Sequence, residues 1–327
     1  MGAETGRGRS ATADARARHG AVRPQAVRTI APAKVNLYLG VRAGVDEDGY
    51  HRVTSVMCAL RLCDEVRVRV ASEPGITVTC DPDPVGGDPR RNLAYRAADD
   101  LAKALGVQPR LHIQVSKRVP AQAGLGGGSS DAAAVLRCLR ALWDGVDERL
   151  VGRVARGLGA DVPFFLHDQP CLLEGRGDVA CERFPFLDVP LVLARPDRGV
   201  PTAAAYRAFD ELGPALPDVG PLCDALRAAD APRVLGALQN NLQPAACAVE
   251  PAVGDTLALL RTVPDAAARP LLCGSGSACA LFVCDDDQAR RVADALAARG
   301  LWACATRTCA GPWGGVVACD DGVRPEA

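Results

Sequence analysis

Residues 120 to 133 read Pro-Ala-Gln-Ala-Gly-Leu-Gly-Gly-Gly-Ser-Ser-Asp-Ala-Ala. An alternating run, Leu111 to Val115, precedes this segment. After it, Val135, Leu136, Leu139, Leu142 and Trp143 recur at helical spacing. The stretch therefore joins a strand to the start of a helix, with Ser130 or Asp131 available as a cap and Gly145 as a stop. Glycines let backbone approach a ligand closely, and the free N–H groups of a helix start favour an anion, phosphate above all. A flexible Gly/Ser linker is the competing reading, and the regular elements at both ends argue against it. Two familiar phosphate loops do not fit. A Walker loop needs Lys after its last Gly, and Ser129 follows Gly128; a dinucleotide fingerprint from Gly124 needs Gly where Ser129 stands.

Upstream, residues 28 to 41 alternate Val35, Leu37, Leu39 and Val41 with Lys34, Asn36 and Tyr38. This is the pattern of a half-buried strand with Lys34 and Asn36 on one face. Residues 64 to 70 alternate in the same way. Downstream, a helix fits 149 to 158 and stops at Gly159. Pro163 to Leu166, PFFL, reads as a short buried strand. Asp161 lies between the helix stop and Pro163, on a tight connection where a lone Asp is most often a turn residue. The prolines at 185, 190, 196 and 201 surround a strand-like LVLA and mark the best candidate for a domain boundary. Helical patterns follow, then strands at 279 to 284 and near 315 to 318. Gly274-Ser-Gly-Ser277 is either a hairpin turn or a second backbone surface facing the glycine loop. The class is α+β, in two domains over 27 to 187 and 188 to 320, behind an Ala-, Arg- and Gly-rich stretch, 1 to 26, expected to be disordered.

The 327 residues carry 38 basic and 39 acidic side chains, so no basic excess is available for a nucleic-acid backbone. No apolar stretch is long enough for a membrane helix and none resembles a secretory h-region, so a cytoplasmic protein is expected. The 14 cysteines contain no CxxC pair and read as small buried hydrophobes.

APAKVNLYL from Ala31, DGYH at 48 to 51, the glycine segment, GADVPFF from Gly159 and GSGSA from Gly274 occur in an order that resembles the superfamily of galactokinase, homoserine kinase, mevalonate kinase and phosphomevalonate kinase, the GHMP kinases. PAKVNLYL, DGYH, GLGGGSS and GADVPFF together are more selective and resemble the 4-diphosphocytidyl-2-C-methyl-D-erythritol kinase family. The resemblance spans about residues 28 to 310. It implies a ribosomal-S5-like N-terminal half, a ferredoxin-like C-terminal half and an active site between them. It also implies ATP and Mg²⁺, and phosphorylation of the C2 hydroxyl of a cytidyl-linked methylerythritol. A monomer or a homodimer is expected, and the sequence does not choose between them.

By matching position, Asp161 is the expected base and Lys34 its partner. Pro120, Ala121, Gln122, Ala123, Gly124, Leu125, Gly126, Gly127, Gly128, Ser129 and Ser130 are expected at the ATP phosphates. Asn36, Tyr50, His51 and Tyr206 are expected at the cytidyl substrate. Ser130 is a candidate magnesium ligand, and no second carboxylate is identified. Ala121-Gln122 stands where the family usually carries Met-Gly or a similar small pair, and Gln169-Pro170-Cys171 where it usually has Gly and Ala. Two rivals remain open: a superfamily kinase for a sugar, homoserine or mevalonate-type alcohol, and a catalytically silent nucleotide-binding paralogue.

Overall fold

The computed structural model describes residues 24–83 and 88–319. The stretch expected to be disordered lies outside the described residues up to residue 23, and regular structure begins at Ala26. Two long strands, β1 (Ala26–Val45) and β2 (His51–Val70), pair antiparallel along nearly their whole length. The chain continues through β3 (Gly75–Asp81), helix α1 (Leu93–Leu105) and β4 (Arg110–Ser116), where β3 and β4 are parallel and α1 is the crossover. Helices α2 (Gly127–Leu142) and α3 (Glu148–Leu158) follow, then β5 (Cys171–Glu174) and β6 (Val179–Arg183).

The second half opens with β7 (Pro190–Arg195), followed by α4 (Thr202–Leu212), α5 (Gly220–Arg227), α6 (Ala231–Gly236), β8 (Gln239–Asn240), α7 (Gln243–Val249) and α8 (Pro251–Arg261). It ends with β9 (Leu271–Leu272), β10 (Cys279–Phe282), α9 (Asp286–Ala297), β11 (Trp302–Arg307) and β12 (Val317–Ala318). The first sheet runs β12-β1-β2-β4-β3, with β5 and β8 attached to β2 and β1. The second runs β11-β7-β10-β9, all antiparallel. Numbered within that sheet, this is the 4-1-3-2 order of a ferredoxin-like unit, its first crossover enlarged by α4 to α8.

The expectation of a half-buried β1 does not hold. Residues 31 to 41 are buried without interruption. Ala31 belongs to a core shared with α1, α2 and α3, whereas Ala33, Val35 and Leu37 belong to a second core facing β7 and β10. The central strand is sandwiched, so its polar residues must be satisfied inside the protein. PFFL also departs from expectation, forming a 3-10 turn (Pro163–Leu166) with Phe164 and Phe165 buried. A four-residue apolar run does not discriminate strand from turn.

All 14 cysteines are unpaired, seven of them buried. Among the described residues no helix is long and apolar enough to cross a membrane.

Candidate active site

β1 is irregular at one decisive point. Its register with β2 shifts between Pro32 and Lys34. Pro32 has no N–H to give a ladder, and a bulge is where a strand tolerates it. The shift leaves the Lys34 N–H to bond the carbonyl of Leu125 in the glycine loop at 2.9 Å. Strand and loop are thus tied backbone to backbone at the residue whose side chain enters the cleft.

The loop presses against its surroundings closely enough that only glycine fits. Gly124 has φ +75°, and a Cβ there would stand 2.0 Å from the Cys273 carbonyl oxygen. At Gly126, φ +72°, a Cβ would meet Phe165 at 2.9 Å and Lys34 Cγ at 3.0 Å. Ala278 N donates to the Ala123 carbonyl at 3.0 Å, which joins the loop to the GSGS segment. That segment is a second backbone surface rather than a plain hairpin turn. α2 begins at Gly127 with no side chain capping it, so its first N–H groups remain available to an anion. Gln122 adopts φ +54°, a left-handed conformation in which a non-glycine residue is strained.

Lys34 Nζ donates to Asn36 Oδ1 at 2.7 Å and lies 3.6 Å from Asp161 Oδ2. Asn36 Nδ2 donates to Ser55 Oγ at 2.8 Å, and Ser55 Oγ donates to the Tyr38 carbonyl. This chain fixes the Asn36 amide with its oxygen toward the ammonium. Lys34 is almost wholly buried while the Asp161 side chain is 32% exposed, so the carboxylate stands at the open side of the pair. Asp161 owes its place to the end of α3 and to the 3-10 turn behind it. Arg137 clamps that turn by donating to the carbonyls of Phe165 and Ile30.

These groups share one cleft of about 790 Å³. Lys34, Asn36, Asp161, Tyr206, Gln122, Gly124, Gly126 and Ser129 line it, as do Gly274, Ser275 and Gly276. The other expected loop residues do not. Ala123, Leu125 and Ser130 are buried in the protein, and Pro120, Ala121, Gly127 and Gly128 flank the cleft without lining it. Tyr50 and His51 are also absent from the lining. His51 packs behind Tyr206, ring centroids 5.0 Å apart, and its Nε2 bonds Asp210 at 2.7 Å. Tyr50 is 56% exposed, with the Arg176 guanidinium 4.2 Å over its ring. Burial, and then the charge of Asp161, push the Tyr206 hydroxyl up to about 12, so it is a neutral donor beside the carboxylate.

Sequence reading missed Arg176, which lines the cleft and pairs with Asp46 and Asp48 of the β1–β2 turn. It also missed Thr202, whose hydroxyl meets Ser275 Oγ at 3.0 Å across the cleft. No local pattern marks either residue; only the fold brings them in.

Beneath α2 lies a buried charged triad. Lys117 Nζ bonds Asp64 and Asp131, the latter at 2.7 Å, and Asp64 also accepts the N–H groups of Arg118 and Val119. Burial raises the Asp131 carboxyl to about 7 even though Lys117 pulls it down. One ammonium does not neutralise two buried carboxylates.

A strand lysine paired with an aspartate above an uncapped, glycine-bordered helix start, on an S5-like half joined to a ferredoxin-like half, defines the chain as a small-molecule kinase of GHMP type. Residues 92–169 match the GHMP kinases N terminal domain model. Relatives named 4-diphosphocytidyl-2-C-methyl-D-erythritol kinase include one from Streptomyces coelicolor, 39% identical over 82% of this chain and 91% of its own length. Another, from Citrifermentans bemidjiense, is 39% identical over 86% of this chain and 99% of its own. A crystal structure of 4-(cytidine 5'-diphospho)-2C-methyl-D-erythritol kinase superposes with a TM-score of 0.72 at 36% identity, covering 86% of this chain and 98% of that one. The chain belongs to the 4-diphosphocytidyl-2-C-methyl-D-erythritol kinase family.

Proposed function

We propose that this protein transfers the γ-phosphoryl group of ATP to the C2 hydroxyl of 4-diphosphocytidyl-2-C-methyl-D-erythritol. The Lys34–Asp161 pair, 3.6 Å apart at the edge of the glycine loop, carries the reading. Asp161 accepts the proton of the attacking hydroxyl while its oxygen bonds to the γ-phosphorus and ADP departs. Lys34, held by Asn36, offsets the negative charge that develops on that oxygen. The backbone N–H groups of the loop and of the start of α2 hold the triphosphate.

Magnesium would supply charge neutralisation on the phosphate oxygens. Among the described residues no cluster of three His, Cys, Asp or Glu side chains suits a protein-only metal cage. A site completed by phosphates suits magnesium better. Ser130, whose buried Oγ has no hydrogen-bond partner, and Ser129 on the cleft wall are the hydroxyls that fit it.

Tyr206 and Asn36 face the cytidyl substrate, and Tyr50 and His51 act from the rim of the cleft. Residues 27 to 187 contribute the phosphate loop and residues 188 to 320 the opposing wall, a division supported by β7 opening a separate sheet. Asp161→Asn is expected to lower kcat by about 10²–10⁴-fold with ATP binding retained. Steady-state kinetics beside calorimetry with ATP test this, and near-normal turnover would remove Asp161 from the reaction.

A further inference from the structure

A second cavity, of about 960 Å³, lies away from the catalytic cleft among α6, β8, the end of α8 and the loop into β9. Its volume is within the range of small-molecule sites, and the chemistry proposed above uses none of it. Leu235, Leu238, Val263 and Leu271 supply apolar wall, and Arg261 and Arg269 supply charge. No carboxylate lines it.

Arg261 alone has an ordinary explanation, since it closes the last turn of α8, where a cation complements the helix dipole. Arg269 has no such role, because it stands on the loop between α8 and β9. Neither guanidinium makes an ion pair or hydrogen bond among the described residues. Of the three amides in the wall, Asn240 and Gln243 are already engaged, and Gln239 is not, among the described residues. Asn240 Nδ2 donates to the carbonyls of Leu272 and Gly274 at 2.8 and 2.9 Å, and Gln243 Oε1 accepts the Leu272 N–H at 2.9 Å. The charge left unpaired in the cavity is therefore cationic, beside apolar surface and the neutral Gln239 amide.

We propose that this cavity binds a small organic phosphate with a hydrocarbon tail, the phosphate forked by Arg261 and Arg269 and the tail laid on Leu235, Leu238 and Leu271. Occupancy reaches the catalytic cleft. β9 forms part of the cavity wall and runs directly into the Cys273–Ser277 loop, and Asn240 touches the cavity on one side and holds Gly274, a cleft residue, on the other. Binding in the two sites is coupled reciprocally through that loop.

The test is calorimetric titration of the full chain, saturated with ATP, using octyl phosphate, inorganic phosphate and octanol. Octyl phosphate is expected to bind, and each of the other two at least about ten-fold more weakly. Arg261→Ser with Arg269→Ser is expected to weaken octyl phosphate by about ten-fold or more while kcat without it is unchanged. Arg269→Glu alone, on an exposed loop, is expected to do the same and guards against misfolding of the double variant. The proposal is overturned if wild-type protein does not bind octyl phosphate, if inorganic phosphate binds equally well, if the arginine variants bind it normally, or if ATP competes it away.

Discussion

At the glycine-loop end of the cleft, backbone lies on backbone: Lys34 N on Leu125 O, Ala278 N on Ala123 O, and Gly124 against Cys273. At the other end the wall is made of side chains. Tyr206 rests on His51, His51 on Asp210, and Arg176 spans Tyr50, Asp46 and Asp48, with Tyr50, Asp48 and Asp210 exposed and the others half-buried. The first construction fixes geometry and tolerates almost no substitution. The second can change its side chains without moving the main chain, as suits the wall proposed above to select the alcohol.

Gly124→Ala breaks the first end. The new Cβ has no room beside the Cys273 carbonyl, and φ +75° alone costs about 1–2 kcal/mol. Overpacking adds about 1–3 kcal/mol more. ATP affinity is expected to fall by about two orders of magnitude or more, with a lowered Tm. Unchanged ATP binding by calorimetry would show that the loop has slack the packing denies. At the second end, Tyr206→Ala is expected to raise KM for the cytidyl substrate by about 10–100-fold, the worth of one stacked base, and to leave ATP affinity alone. If both ligands weaken equally, the two ends are not separable in the way the construction implies.

The glycine-loop end was legible in the sequence because its chemistry is local. Glycines, a preceding strand and a following helix occupy consecutive residues, and each has a conformational meaning by itself. The other end was legible only in its named residues. Tyr206, His51 and Asn36 could be singled out, but that His51 stands behind Tyr206 and that Arg176 covers Tyr50 follow from pairings across 100 residues or more. The misreadings have the same origin. β1 looked half-buried because Lys34, Asn36 and Tyr38 alternate with apolar residues, yet Lys34 and Asn36 are satisfied by each other and by Ser55 inside the protein. PFFL looked like a strand because apolar character says nothing about whether a pairing partner is within reach.

A smaller effect tests the triad beneath α2, whose Lys117 lies close to Gly127 at the first end. Asp131 has a folded value near 7 against an ordinary 3.8. Its favourable contribution to stability is complete below the unfolded value and is lost as pH rises through about 7, where ionisation places a second negative charge beside Lys117. Wild-type Tm is expected to fall more steeply between pH 5 and pH 8 than that of Asp131→Asn, which cannot ionise. Parallel Tm profiles for the two proteins would mean that Asp131 titrates elsewhere.

The contrast between a fixed phosphate end and a selective alcohol end is tested most directly by offering wild-type protein ATP with either the diphosphocytidyl alcohol or free 2-C-methyl-D-erythritol at equal concentration, following the products by phosphorus NMR. The expected result is one new phosphate monoester, at C2, from the cytidyl compound, with the free alcohol turned over at least about 100-fold more slowly, as loss of a stacked base and its hydrogen bonds requires. Comparable phosphorylation of both would contradict the account, because the wall around Tyr206 would then select nothing.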